Sequence, residues 1–187
     1  MKNKTYTDNK KSAEIVSNFL ENNSLHKKDF AEMIGVTLSY VYNLIDESIP
    51  FSTRCTTLER IATVMEIEPE VFEEYKIPQE PRFIDESVMF IKDVLKKSKI
   101  SVVNFLKSFP RKKRLEIVDI LRGATPIPID YNELSMIGET LKLSKEDIYS
   151  LWEKRLKEVL EINGMNVYSN SELLNSMFEC AKKYLLV

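Results

Sequence analysis

The densest run of one charge in this chain is Arg111-Lys112-Lys113-Arg114, in the stretch SFPRKKRLEIVDILRG (Ser108–Gly123). Pro110 suits the first turn of a helix, where a missing N–H costs nothing, and Gly123 suits the stop. Four cations then fall at the positive end of a helix dipole. Each is disfavoured there by roughly 0.3–1 kcal/mol unless something compensates. An anion resolves the conflict. Phosphate fits, because the first N–H groups of a helix also bind it. The run then clamps a DNA backbone through Arg111, Lys112, Lys113 and Arg114. Two other readings stay open: a solvated charged turn, or pairing with the acidic segment Glu66–Glu74 of this chain or of a partner subunit.

Other chemistry is sparse. His26 is the only histidine, which argues against a His-based metal site or a catalytic triad. It precedes an expected helix and reads as an exposed loop residue. Cys55 and Cys180 are far apart and read as small apolar fillers in a reducing compartment, not as a disulfide framework. Carboxylates are abundant, but nothing marks a pair as buried. There is no P-loop, no Gly-rich phosphate cradle and no paired Cys/His spacing. No enzyme, metal or cofactor is therefore expected.

The charge balance says where an anion could be met. The 187 residues carry a net charge of −2, which does not suit a protein that coats nucleic acid indiscriminately. A site-specific reader needs only a local basic face. Residues 1–80 sum to −5 and residues 81–187 to +3, while Lys92–Arg122 alone sums to +7. No apolar run approaches the roughly 20 residues that span a bilayer. The start, MKNKTYTDNKK, lacks the apolar stretch of a secretory signal. A cytoplasmic protein without membrane contact is expected.

The elements that must position these residues are helical. Apolar residues recur at helical spacing in Ile15, Phe19 and Leu20; in Phe30, Ala31 and Ile34; in Val41, Leu44 and Ile45; and in Leu58, Ile61, Ala62 and Met65. Val71, Phe72 and Tyr75 close the first half. KIPQEPRF (Lys76–Phe83), with two prolines, reads as a linker. Leu151–Ile162 and Ser171–Leu186 predict two further helices. Trp152 reads as core, and the stripe of Leu173, Leu174, Met177, Phe178, Ala181, Tyr184 and Leu185 predicts packing on the body or a dimer seam.

The pattern also repeats. An offset of 75 matches Leu20 with Leu95, Leu25 with Ile100 and Phe30 with Phe105. An offset of 76 matches Val41 with Ile117, Leu44 with Ile120, Leu58 with Leu134, Ile61 with Ile137 and Phe72 with Ile148. This predicts two copies of one five-helix unit with different surfaces. Gly35, one of only four glycines, sits between two helical stretches of the first copy, where it can take a positive φ. Pro110 stands near its counterpart and cannot, so that turn must be built differently and the second copy is degenerate.

KKDFAEMIGVTLSYVYNLI (Lys27–Ile45) followed by TTLERIATVMEIEPEVF (Thr56–Phe72) resembles the helix-turn-helix of phage-repressor-type (XRE/Cro-repressor-like) regulators. The likeness lies in Phe30-Ala31, Gly35-Val36, Ser39-Tyr40-Val41, Leu44, Leu58, Ile61-Ala62 and the segment Ile67–Phe72. It covers roughly residues 15–75. The family often has Glu-Asn-Gly after its reading helix, where this chain has Ile45-Asp46-Glu47. The resemblance implies that the second helix of the motif reads bases. The matching positions are Thr37, Leu38, Ser39, Tyr42 and Asn43 as base contacts, and Lys27, Lys28 and Tyr40 as phosphate contacts.

The expected protein is thus all-α: two tandem five-helix repressor-like helix-turn-helix units plus a C-terminal helical extension. The expected boundaries are a polar tail over 1–10, a first domain over 11–75, a linker over 76–84, a second domain over 85–153 and C-terminal helices over 154–187. The expected function is sequence-specific binding of double-stranded DNA as a transcription regulator, a repressor of phage or mobile-element type, with room for a homodimer through the C-terminal helices. The alternative is a protein-interaction module, an adaptor, antirepressor or scaffold, that keeps the fold without reading DNA and binds a protein partner. The acidic first half and the absence of Arg or Lys from the reading helix fit that alternative.

Overall fold

A computed structural model describes residues 8–76 and 86–185. All regular structure among the described residues is helical. The elements are α1 (Asp8–Asn22), α2 (Lys27–Ile34), α3 (Leu38–Leu44), α4 (Cys55–Met65), a 3-10 turn (Pro69–Val71), α5 (Glu86–Ser98), α6 (Val102–Lys107), α7 (Arg111–Leu121), α8 (Tyr131–Thr140), α9 (Lys145–Ile162) and α10 (Ser171–Leu185). The expected linker lies almost wholly outside the described residues. The expected N-terminal tail lies largely outside them too, and its last residues already belong to α1.

The chain forms two compact units. One takes residues up to the linker together with Lys99–Thr125; the other takes Ile84–Ser98 together with Pro126–Val187. This corrects the expected division into a first domain over 11–75 and a second over 85–153, because α6 and α7 pack on α2 and α4 instead of on α5 and α8. The expected boundary at 153/154 is corrected as well, since it falls inside α9, an uninterrupted helix. No Gly or Pro stands between Ile148 and Ile162 to stop it, and Arg155 donates from Nε to the carbonyl of Ile127 at 2.9 Å.

In the first unit, α2 and α3 are joined by a three-residue turn, Gly35-Val36-Thr37. Gly35 ends α2 at φ +71°, and the Val36 N–H donates back to the Ala31 carbonyl at 2.9 Å. Thr37 starts α3, its side chain accepting from the Tyr40 N–H. Phe30, Met33 and Ile34 of α2, Val41 and Leu44 of α3, and Leu58 and Ile61 of α4 are buried together. Phe51 stacks on Phe72 with centroids 6.0 Å apart, closing the loop before α4 onto the 3-10 turn. The first half thus ends in a short turn begun by Pro69 and not in a fifth α-helix.

A second three-residue turn, Ser108-Phe109-Pro110, joins α6 to α7 without a positive φ. Buried Phe109 packs edge-on against Phe105, centroids 5.0 Å apart. The four non-glycine residues with positive φ among the described residues fall in two pairs. Ser24 and Lys99 end α1 and α5 at an offset of 75; Glu66 and Lys142 end α4 and α8 at an offset of 76.

The second unit packs α5, α8 and α10 around α9. Gly138 is buried on α8 because a Cβ there would stand 2.4 Å from Ile148 Cγ1 on α9. Trp152 is half-buried between Tyr131 and Phe178, edge-on to both, and its Nε1–H donates to the Ile129 carbonyl at 3.0 Å.

Candidate nucleic-acid interface

The period of α3 divides its residues cleanly. Val41 and Leu44 face the core, while Thr37, Leu38, Ser39, Tyr42 and Asn43 are all exposed. Leu38 retains 40% and Tyr42 54% of its surface, large values for apolar side chains on a short helix. The five positions expected to read bases therefore share one solvent-facing surface. The Thr37 oxygen already accepts the capping hydrogen bond, so its methyl group and hydroxyl hydrogen remain for other contacts.

Beside this surface lies an open groove of about 440 Å³, lined by Leu25, His26, Lys27, Lys28, Asp29, Leu38, Tyr42 and Arg111. It sits at the start of α2. His26 precedes that helix without a side-chain capping bond, so the first-turn N–H groups gain no acceptor from it. The Lys27 ammonium lies 5.5 Å from the centre of the Tyr42 ring, an attraction that holds both side chains at the rim. Lys28 is exposed. The groove gathers two lysines of α2, the arginine that opens α7, and two apolar residues of α3.

Tyr40, expected at a phosphate, is half-buried, and its hydroxyl is hydrogen-bonded to that of Thr53. It ties α3 to the loop before α4. The hydroxyl expected at a phosphate is thus already engaged within the fold.

The four side chains of the cationic run have different surroundings. Arg111 is exposed over 58% of its side chain and reaches Glu32 at 3.3 Å and Asp29 at 3.7 Å. Arg114 is only 11% exposed; it lies 3.6 Å from Asp29 and donates from Nε to the Phe109 carbonyl at 3.2 Å. Lys113 pairs with Glu116 at 3.0 Å, one turn along. Lys112 faces solvent. Carboxylates of α2 thus offset part of the conflict at the start of α7. Arg114 and Lys113, both expected at phosphate, are engaged within the fold by these pairs. Glu32 Oε2 and Arg114 Nη1 meet at 4.0 Å without an aligned hydrogen bond, so charge rather than directed bonding holds that pair.

Asp29 and Glu32, three apart, share one face of α2; Arg111 and Arg114, three apart, share one face of α7. The match of acid-x-x-acid to Arg-x-x-Arg was the available signal for this seat. The acids seen beside Arg111 and Arg114 are these two, while Lys113 has Glu116 of its own helix.

A second polar network holds α7 in place. Arg60 of α4 grips Asp119 with two bonds of 2.9 Å. Arg122 donates to Asp119 and to Glu59, each at 2.7 Å, and the Tyr75 hydroxyl donates to Glu59 at 2.9 Å. Burial pushes the Asp119 carboxyl up, but the hydrogen bonds from Arg60 and then Arg122, with their charges, more than offset it and hold it below its usual value. Leu115 completes the contact by lying over Gly35.

Among the described residues no group of three or more His, Cys, Asp or Glu is placed to hold a metal, and no helix is long and apolar enough to cross a membrane. Cys55 is partly buried, whereas Cys180 is exposed, contrary to its reading as a filler. Comparison with protein-family models, with curated proteins and with solved structures finds no match.

Proposed function

We propose that this chain is a sequence-specific binder of double-stranded DNA that regulates transcription in the cytoplasm, a repressor of phage or mobile-element type, with no catalytic step of its own. One observation carries the reading: α3 turns Leu38, Ser39, Tyr42 and Asn43 to solvent beside a groove rimmed by Lys27, Lys28 and Arg111. A helix so presented enters the major groove, where Asn43 pairs with an adenine edge and Leu38 meets a thymine methyl. Lys27, Lys28, Arg111 and Lys112 then lie against phosphates, the contacts that supply most of the affinity and set register.

The tandem organisation belongs to the same proposal. The second copy, about 87–152, is a repeat of sequence and not a compact unit, since its α6 and α7 belong to the first unit and the rest to the second; the paired positive-φ residues at offsets of 75 and 76 support the repeat. In this reading α7, the counterpart of α3, no longer reads bases. It braces the first copy and lends Arg111 to a helix-turn-helix whose own reading helix has no Arg or Lys. Asp29 would otherwise repel phosphate at the groove. Its pairing with Arg111 and Arg114 removes that repulsion.

The test is a titration of salt against affinity for a duplex. Removing one cation from a phosphate flattens the logarithmic slope by about one. Lys28→Ala and Arg111→Ala should each do so. A slope unchanged in both variants refutes the phosphate roles. The exposed Leu38 and Tyr42 favour one alternative, a protein-docking face. Under it, the chain has no affinity for duplex even at low salt.

A further inference from the structure

The helix α10 is apolar on two sides, and only one of them is used. Leu174 and Phe178 are buried against α9, with Ala181 and Leu185 partly buried beside them. Rotated by about a quarter turn, Leu173, Met177, Cys180 and Tyr184 form a second stripe that stays in solvent. Leu173 is 61%, Met177 58% and Tyr184 79% exposed, and Cys180 is exposed too.

The steps along this outer stripe are four, three and four residues, the spacing of a helix–helix seam. Ordinary surface helices scatter single apolar residues and do not align them at this repeat. The flank of the stripe carries Glu172 near the start of the helix and Lys183 near its end.

We propose that the outer stripe of α10 binds the same stripe of a second copy of this chain, with the two helices antiparallel. Leu173 then lies across from Tyr184 of the second copy, and Met177 from its Cys180. Glu172 meets Lys183 of the second copy, and the pair forms twice because the contact is two-fold symmetric. The antiparallel direction also sets opposite helix dipoles side by side. A parallel pair would bring residues of equal number, and so of equal charge, to the same height. The inference is independent of DNA binding and goes beyond it by naming the partner and the register.

The test is sedimentation velocity of the full chain over a dilution series. A reversible dimer is expected. Met177→Lys should weaken it at least about tenfold, the effect of removing a central anchor. Because Met177 is exposed, helix content by circular dichroism should not change. Glu172→Lys and Lys183→Glu should each weaken the dimer, and the double exchange should restore it. Under copper-catalysed oxidation by dissolved oxygen, Cys180 thiols of two copies should lose two electrons and two protons and form one disulfide. Cys55→Ser should leave that cross-link intact and Cys180→Ser abolish it. A monomer at all concentrations, which leaves the stripe to a different protein, overturns the proposal. So does a dimer indifferent to Met177→Lys, or a double exchange that fails to restore it.

Discussion

Gly35→Ala tests whether α7 rests on the helix-turn-helix, and its cost divides into two parts. The first is backbone strain. Gly35 holds φ +71°, and a Cβ in that region costs roughly 1–2 kcal/mol. The second is steric. The new Cβ would stand 2.8 Å from both terminal carbons of Leu115, well inside the normal separation of about 3.5–4.0 Å. Leu115 must leave its rotamer or push α7 outward, which costs about 1–2 kcal/mol more. The Arg60 head group, 3.3 Å away, is flexible enough to yield. The sum is about 2–4 kcal/mol, a large fraction of a typical stability of roughly 5–15 kcal/mol. In urea unfolding followed by circular dichroism, the midpoint should fall by about 1–2 M for a slope near 2 kcal/mol/M. The decisive comparison repeats Gly35→Ala in a Leu115→Ala background. There the clash is absent and only strain remains, so the cost should fall by about 1–2 kcal/mol, a coupling typical of touching residues. Equal costs in the two backgrounds would refute the seating of Leu115 on Gly35. A neutral Gly35→Ala would refute the left-handed turn as well.

Three further outcomes follow from the same geometry. Asp119→Ala should cost about 3 kcal/mol by leaving Arg60 and Arg122 half-buried without their shared carboxylate. The Asp119 carboxyl is held below its usual value, so its contribution is present above about pH 4 and lost as pH falls further. Acid unfolding should accordingly be shallower in the variant. Arg114→Ala should lower stability by about 1–2 kcal/mol by orphaning the Phe109 carbonyl and removing the more buried of the two arginines that face the α2 acids, whereas Arg111→Ala should cost less than about 1 kcal/mol, since its own side chain is largely exposed. Burial, then the charges of Glu153 and Glu179 and the neighbouring Tyr131, push the Tyr149 hydroxyl up to about 12. Ultraviolet titration should show one tyrosine ionising last, stability should fall as pH rises from about 10 towards 12, and Tyr149→Phe should remove that late step.

What the sequence revealed is governed by range. Helical periods place α2, α3 and α4 because the apolar stripe and the turn residues lie within a few positions of one another. Gly35 and Gly123 mark helix ends through local chemistry alone. The exposure of Thr37, Leu38, Ser39, Tyr42 and Asn43 likewise follows from the burial of Val41 and Leu44. The fate of the four cations does not, because Arg111 and Arg114 are answered by acids some eighty positions earlier. Nor does the grouping of α6 and α7 with α2 and α4, which rests on Leu115 meeting Gly35 and on Arg60 meeting Asp119. The unbroken α9 was half legible: no breaker separates Ile148 from Leu151, but a boundary placed by repeat length cuts through it. Cys180 misled because burial depends on which side of α10 faces inward, and both sides are apolar.

In the proposed function α3 reads bases while the groove beside it grips phosphate. Selection of bound duplexes from a random pool, run on the full chain and on Asn43→Ala, tests it most directly. The full chain should enrich a defined motif, and the variant should still bind but lose preference for an adenine at one position, a discrimination of about 1–3 kcal/mol. Absence of any enriched sequence, or an identical motif from the variant, would contradict it.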